Sequence, residues 1–178
     1  MTAEAVETRS EALAPTRALR TISLLVNDKP GVLVRVALVF ARRGYNIESL
    51  VVSPSAYGGF SRMTITCSGA LDILEQIIKQ LAKLVDVVHA IDHTGDESYE
   101  TEVALVKLAA ALDERTQILE VAQHYKAKVV DYGADSLILR VHGESDKLDS
   151  FISLLRRFHI EELVRSGKVL MARGETTT

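Results

Sequence analysis

An α+β fold with antiparallel sheets, laid down twice along one chain, is the class this sequence predicts. Three observations carry it. Segments that alternate apolar and polar residues are interleaved with segments whose apolar residues recur every three or four positions. Their order is strand, helix, strand, strand, helix, strand. The same order starts again about 80 residues further on, although few residue identities repeat.

In the first half, "RTISLLV" places Ile22, Leu24 and Val26 on one face and reads as a strand. After the Pro30-Gly31 turn, Val32, Leu33, Val36, Val39 and Phe40 form one helical face, and Gly44 closes that helix. "YNIESLVVS" is β-branched and apolar, a second strand, and "SPSAYGG" is a loop. "FSRMTITCS" alternates again, with Met63, Ile65 and Cys67 opposed to Arg62, Thr64 and Thr66. Leu74, Ile77, Ile78 and Leu81 predict a second helix, and "LVDVVHAID" a fourth strand. This succession is the split βαβ, or ferredoxin-like, βαββαβ arrangement.

"HTGDESYETE" is polar and acidic and reads as a linker. Beyond it, "EVALVKLAA" predicts a strand, and "DERTQILEVAQHY" a helix with Ile118, Val121, Ala122 and Tyr125 inward and Asp113 as N-cap. "KAKVVDYGADSLILRV" is a hairpin turning at Gly133-Ala134-Asp135. "DKLDSFISLLRRF" brings Leu148, Phe151, Ile152 and Leu155 together, and "IEELVRSGKVLMA" holds two short apolar runs around Ser166-Gly167. The division is a tail over residues 1–18, a unit over 19–97, a second ferredoxin-like unit over 98–174 and a tail over 175–178. Units this small bury a modest share of their surface, so assembly through sheet edges or helix faces is expected.

Composition narrows the function. The 178 residues are 47% hydrophobic and 25% charged, as in a globular protein, with no Trp, so aliphatic side chains must build the core. A formal net charge of -3 argues against a broad nucleic-acid face. The basic pairs Arg42-Arg43 and Arg156-Arg157 read as solvated helix ends. One cysteine, Cys67, cannot make an intrachain disulfide or a cysteine zinc site. No apolar run is long enough to cross a membrane as a helix. "MTAEAVETRSEALAPTR" has no apolar stretch of a signal peptide, and Glu4, Glu7 and Glu11 are foreign to transit peptides. A cytoplasmic setting is the expectation.

The residues with most chemical content are Asp28 to Leu33. Pro30 suits a helix start, and Gly31 puts no side chain in the way of a ligand approaching the backbone. The amides of Val32 and Leu33 fall in the first helical turn, where they lack intrahelical partners and the helix dipole favours an anion. Asp28, at the strand exit, is placed to meet an ammonium group. Together these describe a receptor for an α-amino acid. A plain β-to-α turn accounts for the same residues. Asn46 opens the next strand, where either a ligand or the preceding turn satisfies its amide. His89 and His93 share strand parity, yet no spacing supplies a third metal ligand, and they read as surface or strand-end residues. Gly58-Gly59, flanked by Ser53, Ser55 and Ser61, reads as a hairpin tip. Asp113-Glu114 reads as a helix start and Glu161-Glu162 as solvated. There is no nucleophile elbow, Cys–His pair or zinc-protease motif. The second half reads "AALDERT" at the equivalent strand exit, where side chains crowd the helix start.

"NDKPGVLVRVALVFARRGYNIESLVV", followed by "SRMTI" and "EQIIKQLAKLVDV", resembles the regulatory small subunit of acetolactate synthase. "ETEVALVKL", "KVVDYGADSL", "IEELVRSG" and "GKVLMARG" extend the resemblance to Gly174. It implies that residues 19–97 form an ACT domain, pairing with a second copy into a continuous sheet with helices on one side. It further implies valine, or another branched-chain amino acid, at that dimer interface as feedback inhibitor. By matching positions, Asp28, Gly31, Val32 and Leu33 would hold the effector from one chain, and Asn46 and Ile47 would close it from the neighbour. Many relatives carry Asn at the position of Asp28, often Ala at Val32, and often Ala or Gly at Ser53.

The resemblance implies no catalysis and no cofactor in this chain. Thiamine diphosphate, Mg2+ and FAD are expected on the catalytic large subunit, which the small subunit would activate. Two other classes stay in view. An amino-acid-sensing transcription regulator would need a helix-turn-helix and a basic face, and a stand-alone enzyme would need a nucleophile or metal signature.

Overall fold

The computed structural model describes residues 18–174, apart from 70 and 96. The tails expected over 1–18 and 175–178 lie outside the described residues, save Ala18, which opens the first strand. The first unit runs β1 (Ala18–Asn27), α1 (Val32–Ala41), β2 (Ile47–Pro54), β3 (Phe60–Gly69), α2 (Leu71–Leu81) and β4 (Val87–Asp92). Its sheet order is β2-β3-β1-β4, with every neighbouring pair antiparallel. This is the ferredoxin-like order that the alternation predicts.

The register explains the core. Ile22 pairs with Ile65 and Leu24 with Met63, so the apolar parity of both central strands falls on one face. Val32, Val36, Val39 and Phe40 of α1 and Leu74, Ile77 and Leu81 of α2 close over that face. Leu33 departs from the expected stripe and is exposed, because it lies one position, about 100°, round from Val32. Pro30 stands just outside the helix, since Gly31 is the N-cap. At the other end Gly44 has φ +68, and the Tyr45 amide returns to the Phe40 carbonyl at 3.1 Å.

The opposite face of this sheet is polar but not open. Thr21, Ser23, Thr64 and Thr66 are all buried. So is His93, whose Nε2 lies 2.7 Å from the Ser23 hydroxyl; it follows the end of the unit's fourth strand, as a strand-end reading has it, but it is not at the surface. Part of the cover is the turn after the second unit's fourth strand, whose Gly167 packs on Ser49 and Val51.

The second unit runs β5 (Ser98–Ala109), α3 (Leu112–His124), β6 (Lys128–Tyr132), β7 (Ser136–Gly143), α4 (Ser145–Leu155), β8 (Ile160–Arg165) and β9 (Val169–Ala172). Its order, β6-β7-β5-β8, repeats the first. The expected linker is much shorter than its polarity suggests. Ser98 to Thr101 already belong to β5 and pair with Ala172 to Val169 of β9. β9 satisfies their backbone there, so a polar sequence still forms a strand. Asp113 is not the N-cap; Ala111 takes that place and Asp113 falls in the first turn, where its charge suits the dipole. The core gathers Ala104, Val106 and Leu108 with Ile118, Leu148, Phe151 and Leu155. Phe40 and Phe151 are the largest fully buried side chains of their units, sites where truncation to Ala typically costs about 3–5 kcal/mol.

Candidate functional site at the first helix N-terminus

The chain leaves β1 through a tight set of backbone bonds. The Asp28 amide donates to the Gly59 carbonyl at 2.9 Å, and the Lys29 amide to the Asn27 carbonyl at 3.0 Å. Gly31 then adopts φ +83, a left-handed conformation that a residue with Cβ reaches only with strain, and caps α1 with no side-chain hydrogen bond. A Ser, Asp or Asn cap would accept from the second or third helical amide. Glycine leaves those donors, Leu33 and Val34, without an acceptor among the described residues. The Val32 amide is directed instead to the Lys29 carbonyl at 3.4 Å. Its side chain is buried in the core, so Val32 presents only backbone to this surface.

Two groups complete the electrostatics. The Asp28 carboxylate is exposed at the strand exit. Arg35, one turn into α1, folds back so that Nη1 sits 3.4 Å from where a Gly31 Cβ would be. Its Nη2 donates to Asp86 at 2.6 Å. Sequence reasoning passed over Arg35 and Val34. The available signal was spacing: long helical side chains lean toward the N-terminus, so a residue four beyond the cap covers the first turn. The result is two amides without a partner among the described residues, a guanidinium held by Asp86 over the same turn, and the exposed Asp28 carboxylate at the strand exit, a set that could meet both ends of a zwitterion.

Asn46 and Ile47 are not brought to this turn within one chain. Ile47 pairs with Cys67 and Asn27 with Phe60, so the two groups are separated by seven residues of β3, roughly 23 Å. Asn46 is exposed, whereas Ile47 packs against the core.

The second unit closes the equivalent position. Arg115, in the first part of α3, is buried, and its Nε donates to the Ala110 carbonyl at 3.0 Å. Its Nη2 donates to the Gly133 carbonyl at 2.9 Å and also to that of Ala134. The guanidinium lies 4.8 Å from the Tyr132 ring centre. The crowding expected from "AALDERT" is therefore one arginine, satisfied by the chain's own carbonyls.

Elsewhere, burial pushes the Cys67 thiol up to about 11, with the Asp92 and Glu48 charges acting the same way. Asp92 is held below the usual carboxylate range. Burial opposes this, but hydrogen bonds from the Thr94 hydroxyl and amide and from Arg20 outweigh it. Among the described residues no three His, Cys, Asp or Glu side chains gather as a metal site, and no helix is long and apolar enough to cross a membrane.

Two family models match this architecture in chain order. Residues 22–89 match the AHAS small subunit-like ACT domain, and residues 101–174 match the small subunit of acetolactate synthase. The chain belongs to the acetolactate synthase small-subunit family. Its first unit is accordingly an ACT domain. The acetolactate synthase small subunit of Mycobacterium leprae is 41% identical over 154 residues, 86% of this chain and 91% of that protein. That of Mycolicibacterium smegmatis is 43% identical over the same share of each. The crystal structure of the acetolactate synthase small subunit from Thermotoga maritima superposes with a TM-score of 0.80 at 35% identity, covering 89% of this chain and 99% of that one.

Proposed function

We propose that this chain is the regulatory subunit of an acetolactate synthase. It raises the activity of the thiamine-dependent catalytic subunit and makes that enzyme sensitive to a branched-chain amino acid, valine first. Thiamine diphosphate, Mg2+ and FAD belong to the catalytic partner, and this chain supplies no reacting group. The setting in this reading is the cytoplasm.

One observation carries the effector reading: the uncapped Leu33 and Val34 amides at a left-handed glycine, with Arg35 folded over that turn and Asp28 exposed at the strand exit that leads into it. They suit the carboxylate and the ammonium of a free amino acid, respectively. The roughly 23 Å gap to Asn46 and Ile47 makes this half a site. A second copy related by a two-fold axis brings its Asn46 and Ile47 to the Leu33 turn, and the reverse. Exposed Leu33, Val34 and Leu38 on α1 give that second copy an apolar face to cover. Val34 and Leu38 are one turn apart and form a stripe.

An effector bridging two chains shifts the assembly only by binding its inhibited arrangement more tightly than its active one. The test is co-purification with a thiamine-dependent synthase and assay of acetolactate formation with and without valine. Stimulation by this chain together with inhibition by valine supports the reading. A synthase indifferent to the chain ends it.

A further inference from the structure

Gly167, in the turn joining β8 to β9, is a glycine for an unusual reason. Its φ lies outside the left-handed region, so its own backbone would accept a side chain. What excludes one is the other unit. A Cβ there would stand 2.9 Å from Val51 Cγ2, 3.0 Å from Ser49 Oγ and 3.1 Å from Ser49 Cβ. Val51 is β-branched and stiff at χ1, so the contact cannot relax by a simple rotamer change.

The second unit's side of this contact is firmly held. On the second unit, Arg165 Nε donates to Glu102 at 2.5 Å and Arg165 Nη1 to Asp149 at 2.5 Å. The Ser166 amide donates to the Val103 carbonyl, and the Val103 amide donates to the Ser166 hydroxyl, each at 2.9 Å. Lys168 Nζ donates to Glu100 at 2.5 Å. The turn thus moves with β5 as one body.

On the first unit, Ser49 and Val51 lie on β2 just beyond Asn46 and Ile47. Between them the ladder shifts: Ile47 pairs with Cys67 but Ser49 with Thr66, which leaves Glu48 as the extra residue of a bulge. The bulge sends Ile47 into the helix-side core and Ser49 and Val51 to the opposite face, under Gly167. One short strand therefore begins at the proposed effector residues, with Asn46 just before it and Ile47 on its helix-side face, and carries the docking residues for the second unit on the other face.

We infer that the seat of Gly167 on Ser49 and Val51 couples the effector site to the C-terminal unit, so that a change in β2 on effector binding alters how the two units are held. This rests on the effector reading above and assigns its regulation to a defined contact. The test uses the full chain reconstituted with the catalytic subunit. Val51→Ala opens a gap at the seat, Gly167→Ala crowds it, and the double variant restores its volume. Each variant is measured for valine binding by calorimetry and for valine inhibition of the complex.

The expected result is that each single substitution keeps valine affinity within about threefold but loses at least about fivefold in inhibitory coupling, with recovery in the double variant. Because Val51→Ala only removes atoms, a folding failure of Gly167→Ala still leaves one variant to decide the matter. Single variants inhibited as strongly as the parent overturn the seat while leaving the effector site standing. A parent chain that binds no valine removes the effector reading, and this inference with it.

Discussion

Replacing Gly31 separates the anion receptor from the turn that contains it. Gly31 has φ +83, so any L side chain there costs about 1–2 kcal/mol in backbone strain. Among the described residues, chain neighbours aside, the only atom within 4 Å of a Cβ at this position is Arg35 Nη1, at 3.4 Å, the mobile end of a long side chain. Gly31→Ala therefore destabilises without filling the receptor, and lowers the melting temperature of a unit this size by about 4–8 °C per kcal/mol. Gly31→Asp carries no more strain than Gly31→Ala, since Asp tolerates the left-handed region better, and adds a carboxylate beside the Leu33 and Val34 amides and Arg35.

Two charge-assisted hydrogen bonds of about 1.5–3 kcal/mol each are then denied to the effector's carboxylate. The sum, about 3–6 kcal/mol, corresponds to a valine affinity weaker by about 10²–10⁴. Calorimetric titration of the dimeric chain, with thermal unfolding of each variant alongside, gives both numbers. Equal melting points with binding lost only in Gly31→Asp support the receptor. A Gly31→Asp chain that binds valine as tightly as Gly31→Ala refutes the assignment of those amides to the carboxylate.

Three further outcomes follow from the rest of the molecule. Arg115→Met removes the guanidinium that satisfies the carbonyls of Ala110, Gly133 and Ala134, and should lower stability by about 1–3 kcal/mol in urea unfolding without changing valine affinity. Asp92 has a depressed folded pKa, so its contribution is present above the unfolded value near 3.9 and is lost as pH falls below it; Asp92→Asn should lower stability at pH 7 and flatten the acid limb of the stability–pH curve. Cys67, raised to about 11, is held as the neutral thiol; native chain at pH 8 should resist alkylation that unfolded chain undergoes, and stability should fall as pH climbs past about 9, where the unfolded thiol ionises first.

Much of the fold was legible because period-two and period-3.6 patterns report directly which face meets the core. Ile22, Leu24 and Val26, or Leu148, Phe151, Ile152 and Leu155, are buried as their spacing predicts. Where a pattern failed, a tertiary partner had changed the local rule. Ser98 to Thr101 form a strand because β9 supplies hydrogen bonds from about 70 residues away. His93 is buried because it meets Ser23 across the sheet. Asp113 gave up the cap to Ala111, two residues earlier. Of the site, "DKPG" was visible as a turn that could receive an anion, but the partnering of individual amides was not.

By itself, then, the sequence determined two βαββαβ units, their inward faces, the glycine at the first helix start and a family resemblance that the family models bear out. These are local or near-local properties, written in side-chain period and backbone permissiveness. Only the tertiary structure decided that Leu33 and Val34, rather than Val32, carry the open amides, and that Arg35 stands over them. Only it showed Arg115 plugging the second unit and Gly167 pressed on Val51. Those facts depend on which atoms from distant parts of the chain arrive within a few ångströms of one another, and no period in a single segment encodes that.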